Sequence, residues 1–269
     1  MRTESHRDEG WELPLLRSDL IAPPFRHGFS TRAGGASGPP FDTLNLGARW
    51  GDAAANVHEN RQRLLRAIGA AGPLYVARQV HGVAVTRVRA DDEPAAVARI
   101  EADALITDEP GVALGIFVAD CIPALFVDPR TGAVAAAHAG WRGTVAGVLP
   151  AVVRALGDEF GARPGDLRVA LGPAIGPCCF EVGAEVVREF EAALGSAAGD
   201  VVMPSPRGVA GKWHIDLKAA NRHLLARAGV PGEAVDASPD CTCHDPSRFF
   251  SYRRDRERTG QLMGMVARG

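Results

Sequence analysis

The feature that most constrains the fold is a run of apolar segments between residues 74 and 138. Four or five predicted strands follow one another there, and several are apolar at consecutive positions. Because the side chains of a strand alternate between two faces, such segments must be buried on both faces. Strands in a run, rather than strands that alternate with helices, favour an α+β fold of packed mixed β-sheets flanked by α-helices.

Capping residues and apolar periodicity predict the helices, with Asp52 and Asp216 as the N-caps of the first and last. The predicted helices cover residues 52–68, 144–156, 183–194 and 216–228. The predicted strands cover residues 26–31, 74–79, 83–89, 112–118, 123–127, 133–138, 167–171 and 262–267. Residues 34–40, 91–99 and 193–211 are predicted loops because of their composition.

The chain of 269 residues shows no repeat and no convincing linker, so a single domain over residues 1–269 is expected, with residues 1–20 as a peripheral N-terminal extension. A net charge of −2 argues against a dedicated nucleic-acid binder. The sequence contains no apolar run of the kind found in a signal peptide or a membrane span. Five cysteines in such a chain indicate reduced thiols in the cytoplasm.

Three segments end apolar strands with a side chain that can bind a metal: residues 78–82, 119–123 and 136–143. They contribute His81, Cys121 and His138, which are 40 and then 17 residues apart. Two imidazoles and one thiolate suit a catalytic zinc, which keeps three protein ligands and a fourth position for water or substrate. Spacing alone leaves open that the cysteine is a small apolar core residue and that the histidines are held by hydrogen bonds.

Polar neighbours extend this chemistry. Asp120 either orients a ligand histidine or caps a turn. Arg142, just before a predicted helix, either binds an anion such as phosphate or stacks on Trp141. The glycine-bearing turns around residues 28–35 and 44–47 lack the spacing of a P-loop or a dinucleotide fingerprint, so no ATP or NAD site is predicted.

Two further segments are rich in cysteine, glycine or arginine. Residues 172–182 include Cys178 and Cys179, and either line a pocket or form a structural turn. Residues 241–244 read Cys-Thr-Cys-His, and a four-cysteine metal set with the first pair is the less favoured interpretation, since adjacent cysteines rarely chelate one zinc. Residues 248–258 form the densest arginine run, either a solvated loop or a phosphate clamp that includes Arg253.

Taken together, the segments resemble the laccase-domain, or polyphenol oxidase-like, family of purine nucleoside phosphorylases, also called the peptidoglycan editing factor family. The resemblance covers nearly the whole chain, and the set of motifs is specific although no single motif is. The matching segments are residues 28–35, 44–47, 59–61, 79–82, 103–107, 119–123, 136–143, 172–182, 249–255 and 259–260.

The resemblance implies a zinc ion held by His81, Cys121 and His138. It also implies phosphorolysis of adenosine, inosine, guanosine or methylthioadenosine to free base and ribose 1-phosphate, with adenosine deamination as a companion activity. In bacteria, similar proteins are tied to the removal of wrong amino acids from cell-wall precursors. The expected catalytic residues are His81, Cys121, His138 and Asp120, and the expected substrate- or phosphate-binding residues are Asn45, Arg142 and Arg253.

Two positions depart from the family pattern. Gln261 stands where arginine is usual, and Phe180 stands where tyrosine is usual. If the missing arginine helps to bind phosphate, phosphorolysis is expected to be weaker here unless Arg253 or Arg254 compensates.

Three alternatives stay open. A copper-dependent polyphenol oxidase is less favoured, because a multicopper laccase uses paired His-x-His motifs and this chain has eight histidines and none of those motifs. A cysteine-dependent hydrolase that edits peptidoglycan precursors would use Cys121 as nucleophile and His138 as base. A non-enzymatic binding protein would hold its zinc for structure alone. The sequence does not indicate an oligomeric state.

Overall fold

The structure, a computed structural model, describes residues 1–8, 10–206 and 208–269. Within these ranges the chain forms one α+β domain of mixed sheets flanked by helices, which confirms the predicted fold class. The strands are β1 (Arg2–Asp8), β2 (Trp11–Arg17), β3 (Phe25–Ser30), β4 (Leu74–Tyr75), β5 (Val85–Arg87), β6 (Ala104–Thr107), β7 (Ala113–Val118), β8 (Ile122–Val127), β9 (Val134–Ala139), β10 (Arg168–Leu171), β11 (Glu181–Val182), β12 (Val202–Pro204), β13 (Trp213–Ile215), β14 (Val235–Ala237) and β15 (Leu262–Arg268). The helices are α1 (Ala54–Ile68), α2 (Pro94–Val97), α3 (Trp141–Ala146), α4 (Val148–Phe160), α5 (Ala184–Leu194), α6 (Leu217–Arg227) and α7 (Tyr252–Asp255).

Two six-stranded sheets form the centre of the molecule. The first has the order β1-β2-β3-β15-β7-β4 and the second the order β14-β10-β8-β9-β6-β5. Both are antiparallel in the middle, and parallel pairs join β4 to β7, β5 to β6 and β14 to β10. A small antiparallel sheet, β11-β13-β12, lies apart from them in the topology.

The apolar core is divided into layers that explain the continuous hydrophobic runs. In β8, Ile122 and Phe126 pack in a cluster with α4, α5 and α6, whereas Leu125 and Val127 pack in a cluster shared with the first sheet. A third cluster joins the other face of the first sheet to α1, where Leu64 is fully buried. The order of layers is therefore helix, sheet, sheet, helices, and central strands are apolar on both faces because both faces are covered.

Residues 1–20, predicted to be a peripheral extension, supply β1 and β2. β1 is at the margin of the sheet and largely exposed, as expected of an edge. β2 pairs with β3 and buries Leu13 and Leu15 against α1, so it is an integral strand rather than an extension. Its charged residues Glu12 and Arg17, together with Pro14, which faces the edge strand, obscure the strand pattern in the sequence.

Several predicted elements change at a glycine or at a loop. Gly147, with φ of 85°, ends α3 before α4 begins, so the single predicted helix over 144–156 is two helices. Asp216 caps α6 as predicted by accepting a hydrogen bond from the Ala219 N–H at 2.9 Å, but Asp52 lies outside α1, whose N-cap is Ala53. The predicted strands over 74–79 and 83–89 shrink to β4 and β5, and the chain between them forms a loop.

None of the described helices combines the length and the apolar character that a membrane crossing needs.

Candidate metal centre

The candidate metal centre forms where three neighbouring strands of the second sheet begin or end. Cys121 directly precedes β8, and His138 is on β9, opposite Pro123 of β8. Asp103 directly precedes β6, and its carbonyl accepts a hydrogen bond from the His138 N–H at 2.7 Å. Because β8 and β6 both run antiparallel to β9, the beginnings of these two strands meet the end of β9 at the same end of the second sheet.

The loop between β4 and β5 brings His81 to the same end of the second sheet. Ligand atoms of His81, Cys121 and His138 all lie within 4.8 Å of one another, as the sequence predicts for a shared metal. The two imidazole rings meet edge to face with their centroids 4.7 Å apart. A Cβ atom at Gly140 would come within 2.9 Å of His81 Cδ2 and 3.0 Å of the Cys121 sulfur, so only glycine allows this close approach.

Asp103, whose role no local sequence pattern indicates, is the carboxylate that organises the centre. It is fully buried and accepts a hydrogen bond from His138 Nδ1 at 2.7 Å. It also accepts hydrogen bonds from the backbone N–H groups of Val80, His81 and Gly82 at 3.1, 3.0 and 2.7 Å. One side chain therefore fixes both the loop that carries His81 and the ring of His138.

Burial opposes the charged forms of Asp103, Cys121 and His138, but these groups compensate one another. Burial disfavours the charged Asp103 carboxylate, yet the bonds from His138 and the backbone hold its pKa below the usual value. Burial likewise raises the pKa of Cys121, but the charge of His138 and the hydrogen bonds from both histidines lower it overall to about 6. Burial lowers the pKa of His138, whereas Cys121 and Asp103 raise it overall to about 9. The thiol and the ring therefore form a thiolate–imidazolium pair near neutral pH.

Two residues of this centre or next to it have a strained backbone conformation. His81 has φ of 62° and Asp120 has φ of 95°, both in the left-handed region that residues with side chains rarely adopt. Non-glycine residues in this region cost on the order of 1–3 kcal/mol and persist where the surroundings enforce them. At His81 the three backbone bonds to Asp103 supply that enforcement.

Asp120 does not orient a ligand histidine, which corrects one of the two interpretations from the sequence. Its Oδ1 accepts a hydrogen bond from the Thr242 hydroxyl, and its Oδ2 accepts one from the Arg253 N–H, both at 2.6 Å. Its own carbonyl accepts a hydrogen bond from the Ile175 N–H at 2.8 Å. Asp120 therefore ties the segment that carries Cys121 to two other loops. Asp103 and Asp120 both adjoin apolar strands. The local sequence therefore does not distinguish their roles, and only the register of the sheet does.

Asn45, predicted to bind substrate, makes its amide hydrogen bonds within the protein. Its Oδ1 accepts from the N–H groups of Gly47 and Gln261, and its Nδ2 donates to the Gly47 carbonyl and to Asp52. The side chain is 2% exposed. These contacts define a structural position that joins three segments. Gln261, one of the two departures from the family pattern, takes part through its backbone: its N–H donates to Asn45 Oδ1, and its carbonyl accepts a hydrogen bond from the Leu46 N–H at 3.0 Å.

The two predicted anion-binding arginines differ in their environment. The Arg142 guanidinium is exposed and lies over the Trp141 ring, 4.3 Å from its centroid, two residues after the close-packed Gly140. The Arg253 guanidinium donates from Nη1 to the carbonyls of Cys179 and Glu181 and lies 5.3 Å from the centroid of the Phe180 ring. Arg142 therefore has the more available charge, whereas Arg253 holds the loop before β11. The contact of Arg253 with Phe180 needs no tyrosine hydroxyl.

The donor set fits a zinc ion. Because His138 Nδ1 is bonded to Asp103, its Nε2 is the nitrogen left for a metal, and the Cys121 thiol is already acidic. A metal-binding histidine held by a carboxylate is the usual outer-shell arrangement of zinc sites. Two imidazole nitrogens and one thiolate sulfur also match the ligand types of catalytic zinc.

The layered α+β fold and this cluster define a protein with a candidate His/Cys metal centre at one end of the second sheet. Residues 26–269 match the family described as multi-copper polyphenol oxidoreductase laccase, and the chain belongs to that family. This agrees with the family named from the sequence.

Several relatives carry the name purine nucleoside phosphorylase. A purine nucleoside phosphorylase of Pseudomonas aeruginosa is 47% identical over 237 residues, which cover 88% of this chain and 90% of the relative. The purine nucleoside phosphorylase YlmD of Geobacillus stearothermophilus is 39% identical over 256 residues, 92% of each chain.

Solved structures agree with the fold over nearly the whole chain. The crystal structure of YlmD from Geobacillus stearothermophilus has a TM-score of 0.87 at 36% identity and covers 99% of both chains. The crystal structure of Bacillus licheniformis hypothetical protein YfiH has a TM-score of 0.88 at 32% identity and covers 96% of both.

Proposed function

We propose that the protein is a zinc-dependent purine nucleoside phosphorylase. In this proposal, adenosine, inosine, guanosine or methylthioadenosine reacts with phosphate to give the free base and ribose 1-phosphate. The observation that carries the proposal is the convergence of His81, Cys121 and His138 on one point, with Asp103 behind them. The names of the relatives at 39% and 47% identity supply the reaction class.

Zinc is the proposed metal, held by His81, Cys121 and His138. When bound there, it would supply a Lewis acid with a position open to water or substrate. Copper is the less favoured occupant: soft thiolate and imidazole ligands also suit it, but the chain has eight histidines in total and no His-x-His pair.

The protein side chains would position the reactants. Asp103 holds the His138 ring and the His81 loop, so the centre keeps its geometry before substrate arrives. The exposed guanidinium of Arg142 is the first candidate to bind phosphate, and Arg253 is the second, through nitrogens other than Nη1. A phosphate oxygen forms a bond to C1′ of the ribose while the bond to the purine nitrogen breaks. The electron pair of that bond leaves with the base, which then takes up a proton.

Adenosine deamination is a second part of the proposal. Water replaces the amino group at C6 of the purine, which gives inosine and releases ammonia. The same cluster would serve both reactions. A cytoplasmic location is also part of the proposal, because a reducing compartment keeps the Cys121 thiol available as a ligand.

A second candidate function is favoured by one observation. Cys121, His138 and Asp103 form a chain of a thiolate, an imidazolium and a carboxylate, which is also the arrangement of a cysteine hydrolase. Such an enzyme, acting on peptidoglycan precursors, would use the sulfur as a nucleophile and would not need a metal.

Incubation of the purified, zinc-loaded protein with adenosine in phosphate and in phosphate-free buffer separates these functions. Adenine and ribose 1-phosphate formed only with phosphate would support the phosphorylase. Inosine formed in both buffers would support the deaminase part alone. No product from folded, zinc-loaded protein would contradict both, and inactivation by alkylation but not by chelators would favour the hydrolase.

A further inference from the structure

A second group of metal-binding side chains lies outside the candidate metal centre. Ligand atoms of Cys178, Cys179 and His244 all lie within 4.8 Å of one another. The sequence makes a metal shared by adjacent cysteines the less favoured interpretation, but the two cysteine sulfurs are 3.6 Å apart and both lie within reach of the same His244 ring. The cysteines come from the turn before β11 and the histidine from the turn after β14, so the chain brings together donors that are far apart in sequence.

A further thiol lies beside this cluster. A Cβ atom at Gly176 would come within 3.5 Å of the sulfurs of both Cys178 and Cys241, and within 3.2 Å of Cys241 Cβ. The glycine therefore lets the two turns approach closely. Cys241 accepts a hydrogen bond from the Gly176 N–H at 3.1 Å, which fixes the position of its sulfur.

Backbone contacts hold the two turns together. Ala174 and Cys241 form a parallel β-bridge, and the Thr242 N–H donates to the Ala174 carbonyl at 3.1 Å. On the other side, His214 Nδ1 is hydrogen-bonded to the Pro177 carbonyl. The donors are therefore presented by a preformed framework, which lowers the ordering cost of binding an ion.

We propose that Cys178, Cys179 and His244 form a second metal site for a thiophilic cation, Zn²⁺, with Cys241 as the nearest candidate for a fourth ligand. Two thiolates and an imidazole match the ligand set of structural zinc sites, which are closed by four protein ligands. Binding displaces the thiol protons to solvent. Cys178 and His244 are both exposed, so the ion has a route into the site.

The site would support the first centre through Asp120. Ile175 and Thr242, which belong to the two bridged turns, both donate hydrogen bonds to Asp120, and Asp120 directly precedes Cys121. An ion that joins the turns would restrain the backbone behind the Cys121 ligand. The role assigned to this zinc is therefore structural.

Zinc content per chain tests the proposal, measured by mass spectrometry of metals on the full-length protein after dialysis against zinc and then buffer. We expect two zinc ions in the wild type, one in Cys178→Ser, one in Cys121→Ser and none in the double variant. Cys243→Ser is the matched control, because Cys243 lies two residues from Cys241 but outside the cluster, and it should keep both ions.

An unchanged zinc content in Cys178→Ser would overturn the proposal. If the first centre holds no zinc, the wild type contains one ion, Cys121→Ser also contains one and Cys178→Ser contains none; that result would still support the second site. The two proposals can therefore fail separately.

Thiol alkylation of the wild type provides a second test that needs no folded variant. Zinc should protect Cys178 and Cys179 from iodoacetamide, and a chelator should expose them, as read by peptide mass spectrometry. Equal labelling with and without the chelator would overturn the proposal, as would a Cys178–Cys179 disulfide whose reduced form still takes up no zinc.

Discussion

The two cysteine–histidine clusters of this molecule are built on different principles. In the cluster of His81, Cys121 and His138, the last two residues lie at the ends of central strands, with His138 only 3% exposed, whereas His81 is exposed and comes from a loop. The cluster of Cys178, Cys179 and His244 lies on two turns, with Cys178 and His244 exposed. The first cluster has one thiol among its three donors and a carboxylate hydrogen-bonded to one of them. The second cluster has two thiols among its three donors.

This difference indicates two kinds of site. Strand ends fix side chains rigidly, and a buried carboxylate such as Asp103 raises the basicity of a ligand histidine. These are properties of a centre that performs chemistry. A bound ion would restrain the thiol-rich pair of turns, and among the described residues no carboxylate is hydrogen-bonded to His244 as Asp103 is to His138, which is typical of a structural site.

The largest effect should come from the removal of a ligand in the first cluster. His138→Ala should lose one zinc ion and all measurable phosphorolysis of adenosine, because the metal loses one of three protein ligands. Circular dichroism confirms folding, and the zinc of the second cluster should remain. A His138→Ala protein with full activity and no metal in this centre would contradict the assignment.

A smaller loss is expected from Asp103→Asn. The amide cannot accept hydrogen bonds from all four donors that the carboxylate now binds, so zinc affinity or activity should fall by roughly 10–100-fold. A competitive chelator titration measures this change. Asp120→Asn is the matched control: it should cost stability through the loops it joins, with a much smaller effect on zinc affinity. Equal losses from both variants would contradict the separate roles.

The pH dependence of alkylation should also separate the clusters in zinc-stripped protein. The pKa of Cys121 is lowered to about 6, so its reaction with iodoacetamide should be near its maximum at neutral pH and fall as pH decreases through about 6. Burial and neighbouring thiols raise the pKa of Cys178 and Cys179, so their labelling should rise only in alkaline solution. In His138→Ala the Cys121 midpoint should move upward; a midpoint that stays near 6 would show that His138 is not the cause.

The smallest effect concerns the link between the two clusters. Thr242→Val removes the buried hydroxyl that donates to Asp120 and keeps the shape of the side chain. A hydrogen bond to a charged group contributes about 1.5–3 kcal/mol, so the free energy of unfolding in urea should fall by that amount. Both zinc ions should remain. A change below about 0.5 kcal/mol would show that this bond does not join the clusters.

The sequence predicts the buried central strands well and the short or more polar strands poorly. β8, β9 and β15 match the predicted ranges within one residue, because continuous apolar runs leave little choice once both faces are covered. β2 and the short strands of the third sheet are not predicted, since charged ends, proline and lengths of two or three residues carry almost no periodic signal.

The same limit applies to the site. The sequence predicts His81, Cys121 and His138 as a group, and the structure brings them together. It favours Asp120 over Asp103 because Asp120 adjoins a candidate ligand. The choice depends on the pairing of β6 with β9, which places Asp103 beside His138 and which no local pattern contains. A buried acidic residue at the start of an apolar strand is the available signal.

Zinc titration of chelator-stripped protein, with adenosine phosphorolysis measured at each step, tests whether the protein is a zinc-dependent phosphorylase. We expect no turnover of adenosine without zinc in either phosphate or phosphate-free buffer. We also expect phosphorolysis to rise with zinc only in phosphate buffer and to saturate once the His81–Cys121–His138 centre is filled. Full activity in the stripped protein, unchanged at every zinc level, would contradict this expectation.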